Sequence, residues 1–343
     1  MITEVLNWGQ EGALEKSARL IQEGQIVGIP TETVYGLGAN ALDGRACLKI
    51  FEAKGRPADN PLIVHICDPE GAEKIAYTNS LYYKLAKKFM PGPLTIILPK
   101  RDIIPSEVTA GLDSVAVRCP VHSVARRIIE LSGVPIAAPS ANKSGMPSPT
   151  TAQHVYNDMN GIIPLIIDAG ACEVGVESTV IKITDDSIIL LRPGAITAEM
   201  LREICDNVTI SSAVLEELKE GETPLSPGMK YKHYAPRANL FLVDLDDADF
   251  QAFVRDKAKV EKCAIMCYDE EIPLFEGLTL LPVGKKEDIK EQTKRLFDLL
   301  RRADEIGVDT IYAHIPGKKG ESLAMYNRMI RACAHRIIGG ENG

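Results

Sequence analysis

The chain has 343 residues, a formal net charge of −8, and 45% hydrophobic and 25% charged residues. That length favours two domains, the balance is that of an ordinary globular protein, and the acidic excess argues against a large electrostatic footprint on nucleic acid. No apolar run reaches membrane-spanning length, Met1-Ile2-Thr3-Glu4 lacks the basic start of a secretory signal, and the eight cysteines, without a Cys-x-x-Cys pair, read as buried free thiols in a reducing cytoplasm.

Leu14, Ala18 and Ile21 fall at helical spacing over residues 11–23, and Gly24 closes that helix. Residues 25–29 read as a buried strand running into Pro30-Thr31-Glu32-Thr33-Val34-Tyr35-Gly36-Leu37-Gly38, a hydroxyl-rich loop at a strand's carboxyl end, where open α/β sheets place ligands. A helix over residues 43–53, with Leu48, Ile50 and Phe51 inward, delivers Lys54-Gly55-Arg56-Pro57-Ala58-Asp59-Asn60-Pro61. The prolines hold the residues before them extended, so Lys54 and Arg56 are expected on a stiff loop outside the helix, charge outward, as an oxyanion clamp. The strand over residues 62–67 surrounds His65 with apolar neighbours, and burial there favours the neutral imidazole.

A helix over residues 79–89 is capped by Asn79 and stopped by Met90-Pro91-Gly92-Pro93, and a strand follows over residues 94–98. The strand over residues 114–120 carries Arg118 near its end. An arginine there needs a carboxylate, internal or from a ligand, and the ligand is the favoured reading. After a helix over residues 122–131, residues 135–145 form a strand of small side chains running into Ser140-Ala141-Asn142-Lys143-Ser144-Gly145. A helix over residues 151–159, strands over 165–168 and 178–183, and a return strand over 187–191 ending in Arg192-Pro193-Gly194 complete the first part. Cations or hydroxyls thus mark five separate strand ends.

The domain reading is 1–205, a linker over 206–237, and 238–343. The linker opens with a short acidic helix and then loses all periodicity through Ser226-Pro227-Gly228-Met229-Lys230-Tyr231-Lys232-His233-Tyr234-Ala235-Pro236, whose aromatic content suits packing on a surface or base. Beyond it, strands over 240–243, 264–268 and 310–315 alternate with helices over 248–260, 286–303 and 322–338, which implies a small parallel sheet. No Gly-x-Gly-x-x-Gly follows its first strand, so dinucleotide binding is not supported.

Pro30-Thr31-Glu32-Thr33-Val34-Tyr35-Gly36-Leu37, Lys54-Gly55-Arg56-Pro57, Pro91-Gly92-Pro93-Leu94-Thr95, Ser140-Ala141-Asn142 and the linker motif together resemble the threonylcarbamoyl-AMP synthase family in its long two-domain form. The resemblance implies an α/β fold: a YrdC-like twisted α/β sheet domain with an open cleft, then a small Rossmann-like parallel-sheet domain. It implies a nucleotidyltransferase making threonylcarbamoyl-AMP and pyrophosphate from L-threonine, bicarbonate and ATP, for tRNA threonylcarbamoyladenosine modification. Position by position it assigns Lys54 and Arg56 to catalysis at the phosphates. Arg56, Asn60, Ser114, Ala138, Ser140, Asn142, Ser148, Arg192, Tyr231 and His233 fall on the nucleotide side. Thr33, His65, Arg118 and Ser178 resemble the threonine pocket, with Arg118 on the carboxylate. No metal site is implied on the chain; Mg2+ is expected on the polyphosphate. Contact with tRNA and with partner tRNA-modifying enzymes is an open expectation, and no membrane is expected. The rival reading is a double-stranded RNA or tRNA-binding module without its own catalysis, and a carbamoyl-transfer domain of the hydrogenase-maturation kind ranks third.

Overall fold

The computed structural model describes residues 2–215 and 233–339. It divides into one unit of Met1–Ser144 with Ser148–Lys230 and a second of Gly145–Pro147 with Tyr231–Gly343.

The first unit runs β1 (Glu4–Asn7), α1 (Ala13–Gln22), β2 (Val27–Ile29), β3 (Gly36–Asn40), α2 (Gly44–Lys54), β4 (Ile63–His65) and α3 (Ser80–Phe89). It continues through β5 (Leu94–Pro99), α4 (Ser106–Thr109), β6 (Ser114–Arg118), α5 (Ser123–Ser132), β7 (Ile136–Ala137) and α6 (Ala152–Met159). It closes with β8 (Leu165–Asp168), β9 (Thr179–Ile183), β10 (Ile188–Arg192), α7 (Ala198–Arg202) and β11 (Val208–Ile210). The strands form one mixed 11-stranded sheet in the order β1-β8-β2-β3-β7-β4-β6-β5-β9-β10-β11. Ala13 and Ile21 of α1 pack with Val124 and Ile128 of α5 on Val27, Ile29, Ile136 and Ile167, which fixes one layer of helices against the sheet.

The structure departs from the sequence reading at several places in this unit. Strand β1 was not anticipated; it pairs in parallel with β8. Strand β3 begins at Gly36, inside the stretch read as loop, because β2 turns straight back on itself and pairs antiparallel with it. Leu48 is 38% exposed, since the buried stripe of α2 is Ala46, Cys47, Ile50, Phe51 and Lys54. Residues 208–214 form β11, parallel to β10, and a short turn at Ser212–Val214, while the acidic stretch read as a short helix, residues 216–222, lies outside the described residues.

The largest correction concerns Lys54. It is the last residue of α2, 5% exposed and turned inward, rather than part of an outward clamp. Asp43 caps the helix start by accepting from the Arg45 and Ala46 N–H groups, and Gly55, at φ +60°, takes the chain out only after Lys54 has been included. Pro57 restricts Arg56 but has no steric hold on a residue three positions back.

The second unit runs β12 (Asn239–Asp244), α8 (Asp247–Ala258), β13 (Cys263–Met266), α9 (Ile289–Ile306), β14 (Thr310–His314), α10 (Ser322–Ala332) and β15 (Ile337–Gly339). Its four strands are all parallel, in the order β13-β14-β12-β15, as the alternation of strand and helix required. Phe250 and Val254 of α8 pack on Val243, Ile265 and Tyr312. The helix read through residue 338 stops at Ala332, because Ala334 and His335 take φ of 50° and 59°, and the chain re-emerges as β15 beside β12.

Candidate active site

Strand pairing brings five side chains to one end of the central strands. His65 ends β4 and is the register partner of Arg118, which ends β6; Thr95 near the start of β5 also pairs with Arg118. Thr95 and Arg192 both flank Val180 of β9, and Ser178 immediately precedes that strand. The Thr95 and Ser178 hydroxyls lie 2.7 Å apart, and Arg192 donates from Nε to the Ser178 carbonyl at 3.1 Å and from Nη2 to its hydroxyl at 3.3 Å. A Cβ at Gly194 would stand 2.4 Å from the Thr179 nitrogen, so the turn behind Arg192 requires glycine to approach this closely.

Arg118 was expected to await a ligand carboxylate. Its Nη2 instead donates to Glu32 Oε1 at 2.6 Å, with the two side chains 5% and 3% exposed. The internal carboxylate was legible as a residue of the Thr-Glu-Thr stretch, but only the fold carries that loop back over the sheet. The pair is incompletely used: Arg118 Nε and Glu32 Oε2 are buried without hydrogen-bond partners among the described residues. Burial pushes the Glu32 carboxyl up, and the adjacent guanidinium more than offsets this by charge and hydrogen bond, leaving it below the usual carboxylate range. Burial, reinforced by Arg118, pushes the His65 imidazole down to about 3, so it is neutral near pH 7. Its Nδ1 meets the Ile63 carbonyl at 3.2 Å; as donor there, it leaves Nε2 an acceptor.

The loop of residues 30–35 is strapped between two others. The Tyr35 N–H donates to Pro149 O at 2.8 Å, and Val174 and Gly175 donate to the Glu32 and Thr33 carbonyls at 2.8 and 3.1 Å. Thr31 can give its hydroxyl proton to Val34 O at 2.6 Å, in which case it accepts from buried Thr33, whose hydroxyl oxygen lies 2.9 Å away. Ser148, fully buried, donates to Glu177. Thr31, Glu32, Thr95 and Glu177 are polar members to which the sequence reading gave no role.

A second group gathers around Lys54, whose ammonium donates to the carbonyls of Ser140 and Asn142. Arg56, half-buried, donates to the Asn60 carbonyl at 3.0 Å. The Asn60 side chain is fully buried, and neither amide atom has a hydrogen-bond partner among the described residues. The Ala138 N–H is taken by Ile63 O at 2.9 Å. Ser114 opens β6, four residues before Arg118, so the two stand roughly 13 Å apart along the strand. Asn60 and Ser114 thus lie at the opposite ends of β4 and β6 from His65 and Arg118. His233 belongs to the second unit, its ring 5.5 Å from that of Tyr234. Tyr231 lies outside the described residues.

These features define an α/β protein whose site is built from buried cations, hydroxyls and amides at strand ends, a donor set for anionic ligands. Among the described residues no group of three or more His, Cys, Asp or Glu could hold a metal ion. The family described as "Telomere recombination" matches residues 19–194, and "Threonylcarbamoyl-AMP synthase, C-terminal domain" matches residues 196–334. The chain belongs to the threonylcarbamoyl-AMP synthase family, as its motifs suggested. The threonylcarbamoyl-AMP synthase of Pyrococcus abyssi is 44% identical over 339 residues, covering 96% of both chains. That of Bacillus subtilis is 42% identical, covering 95% of this chain and 94% of its own. The structure of the Pyrococcus abyssi Sua5 protein complexed with L-threonine matches with a TM-score of 0.88 and 43% identity, over 98% of this chain and 99% of that one.

Proposed function

We propose that the chain is an L-threonylcarbamoyladenylate synthase. L-threonine and bicarbonate condense to a carbamate and water, and a carbamate oxygen then displaces pyrophosphate from the α-phosphate of ATP. Joining one anion to another demands positioning and charge neutralisation more than a strong base. What carries the reading is the buried Arg118–Glu32–His65 group: a guanidinium with an unused Nε, a neutral imidazole, and the Thr95 and Ser178 hydroxyls close by. This supplies a cation for a carboxylate and neutral partners for an amine and a hydroxyl.

In this reading Arg118, His65, Thr33 and Ser178 receive threonine, while Lys54, Arg56, Asn60, Ser114, Ala138, Ser140, Asn142, Ser148 and Arg192 serve the nucleotide, with Tyr231 and His233 from the linker. The unsatisfied Asn60 amide is the kind of group a ligand completes. The two carboxylates of the site are engaged by Arg118 and Ser148, which suits Mg2+ arriving on the polyphosphate. Residues 1–205 would carry the chemistry, with 206–237 as linker and 238–343 as an accessory domain. The product would pass to a partner enzyme acting on tRNA. Among the described residues no helix is long and apolar enough to cross a membrane, and eight free cysteines suit a reducing cytoplasm.

Mass identification of the product from ATP, L-threonine and labelled bicarbonate tests the assignment. The labelled mixed anhydride should form only when all three are present. ATP turnover indifferent to threonine would overturn it.

A further inference from the structure

The second unit contains a cavity of about 350 Å3 outside the carboxyl ends of β13 and β14, where parallel α/β sheets take their ligands. Its apolar wall includes Met266, Met325, Met329 and Ile289, and its polar lining includes Gln292, His314, Ser322 and Lys286. Methionine is adaptable and polarizable, and it packs well on flat aromatic surfaces.

Two polar atoms in this lining lack partners among the described residues. Gln292 is 4% exposed, and its Nε2 is spent on the Lys285 and Lys286 carbonyls at 2.7 and 2.9 Å, which leaves Oε1 as an unused acceptor. His314 is stacked between Phe250 and Tyr268 and bonds Glu271 through Nε2 at 2.9 and 3.1 Å, leaving Nδ1 unused. A nucleoside offers donors to such atoms through its hydroxyls and base.

The rim repeats one short sequence. Val283-Gly284-Lys285-Lys286 leads to α9, and Pro316-Gly317-Lys318-Lys319 joins β14 to α10; Val283, Lys286, Pro316 and Gly317 all line the cavity. All four lysines are exposed. Acidic groups also face this region: Glu287 lines the rim, Asp247 pairs with Lys286 at 2.6 Å, and Glu271 is held by His314. A phosphate would compete with Asp247 for Lys286.

We propose that this cavity is a second ligand site, taking a nucleoside monophosphate with its phosphate on the paired Gly-Lys-Lys turns and its nucleoside against the methionine wall. A volume near the lower bound of small-molecule pockets, about 300 Å3, suits one nucleotide and not a dinucleotide.

Equilibrium dialysis of the full chain against each labelled ribonucleoside monophosphate tests this. For at least one of the four, wild type should bind one equivalent more than Lys286→Ala/Lys318→Ala, whose thermal unfolding should match wild type because both side chains are exposed. Met325→Trp, which fills the cavity and leaves the lysines in place, should lose the same equivalent. Inorganic phosphate should displace the nucleotide at least 10-fold less effectively than the unlabelled nucleotide does. Equal binding by wild type and the double lysine variant for all four nucleotides would overturn the proposal, as would displacement by inorganic phosphate on equal terms.

Discussion

In the first unit the polar groups at the strand ends are buried and largely bound to one another, whereas in the second the cations around the cavity stand in solvent. Arg118 and Glu32 are 5% and 3% exposed, against 46% and 60% for Lys286 and Asp247, although both pairs close to 2.6 Å. Equal distances therefore do not mean equal energetics. A buried pair whose partner is removed leaves a charge without solvent, and an exposed one exchanges its partner for water. In the first unit the residues assigned to ligands are also part of the scaffold, so substitutions there should act on stability and activity together.

The largest effect should come from Glu32→Ala. It leaves the Arg118 guanidinium buried without its carboxylate, at a cost of about 3–5 kcal/mol. Urea unfolding of the variant checks this, and a loss below about 1 kcal/mol would mean that the pair is not a structural element.

Lys54→Ala should come next, because it strips the ammonium from two carbonyls, Ser140 O and Asn142 O, at about 2–3 kcal/mol. Arg56→Ala, at a half-buried position, should change stability by less than about 1 kcal/mol. Both should abolish pyrophosphate release on the proposed function. The sequence pointed to these two as an equivalent pair on one loop, and unfolding curves for the two variants would separate them.

The third effect depends on pH. His65 is held neutral, with its pKa at about 3 against an unfolded value of 6.5, so between those values the unfolded chain binds a proton that the folded chain does not. Stability should therefore fall as pH drops from 6.5 towards 3, by about 2 kcal/mol at pH 5. Burial pushes His122 down as well, adding slope of the same sign, while Glu32 adds to the fall only from about its ordinary value of 4.5 downward. His65→Gln should flatten the fall without abolishing it. An unchanged slope would place the titration elsewhere.

The elements legible in the sequence were those whose signals are local. Asn79 caps α3 through the Tyr82 N–H at 2.9 Å, and Gly24 takes positive φ just beyond its helix. The parallel sheet of the second unit followed from its alternation of strand and helix. What stayed hidden depended on contacts between distant residues. Strand β1 is four residues long and pairs with a strand some 160 positions on. Glu32 reaches Arg118 across 86 positions, so an arginine that looked partnerless was already paired. Lys54 illustrates the same limit, since its spacing fits both a helix end and a loop, and only the carbonyls of the 140–142 turn decide between them. The paired Gly-Lys-Lys turns were readable as letters, but only the fold places both on one cavity.

Lys286→Ala supplies the smallest effect and the sharpest contrast. Its ion pair with Asp247 and its place 5.6 Å from the centre of the Tyr268 ring would each be counted as stabilising on geometry alone. Solvent screening and the entropy of holding a long side chain in place reduce such an exposed pair to about 0–1 kcal/mol. The variant should therefore unfold within about 1 kcal/mol of wild type, and the residual difference should vanish at 1 M salt, where the Debye length is about 3 Å. Glu32→Ala should keep most of its deficit under the same conditions, because salt does not reach a pair this deeply buried. If Lys286→Ala instead lost about 2 kcal/mol or more at high salt, lysine and ring would form a desolvated unit, and the rim of the second unit's cavity would be scaffold in the same sense as the strand ends of the first sheet.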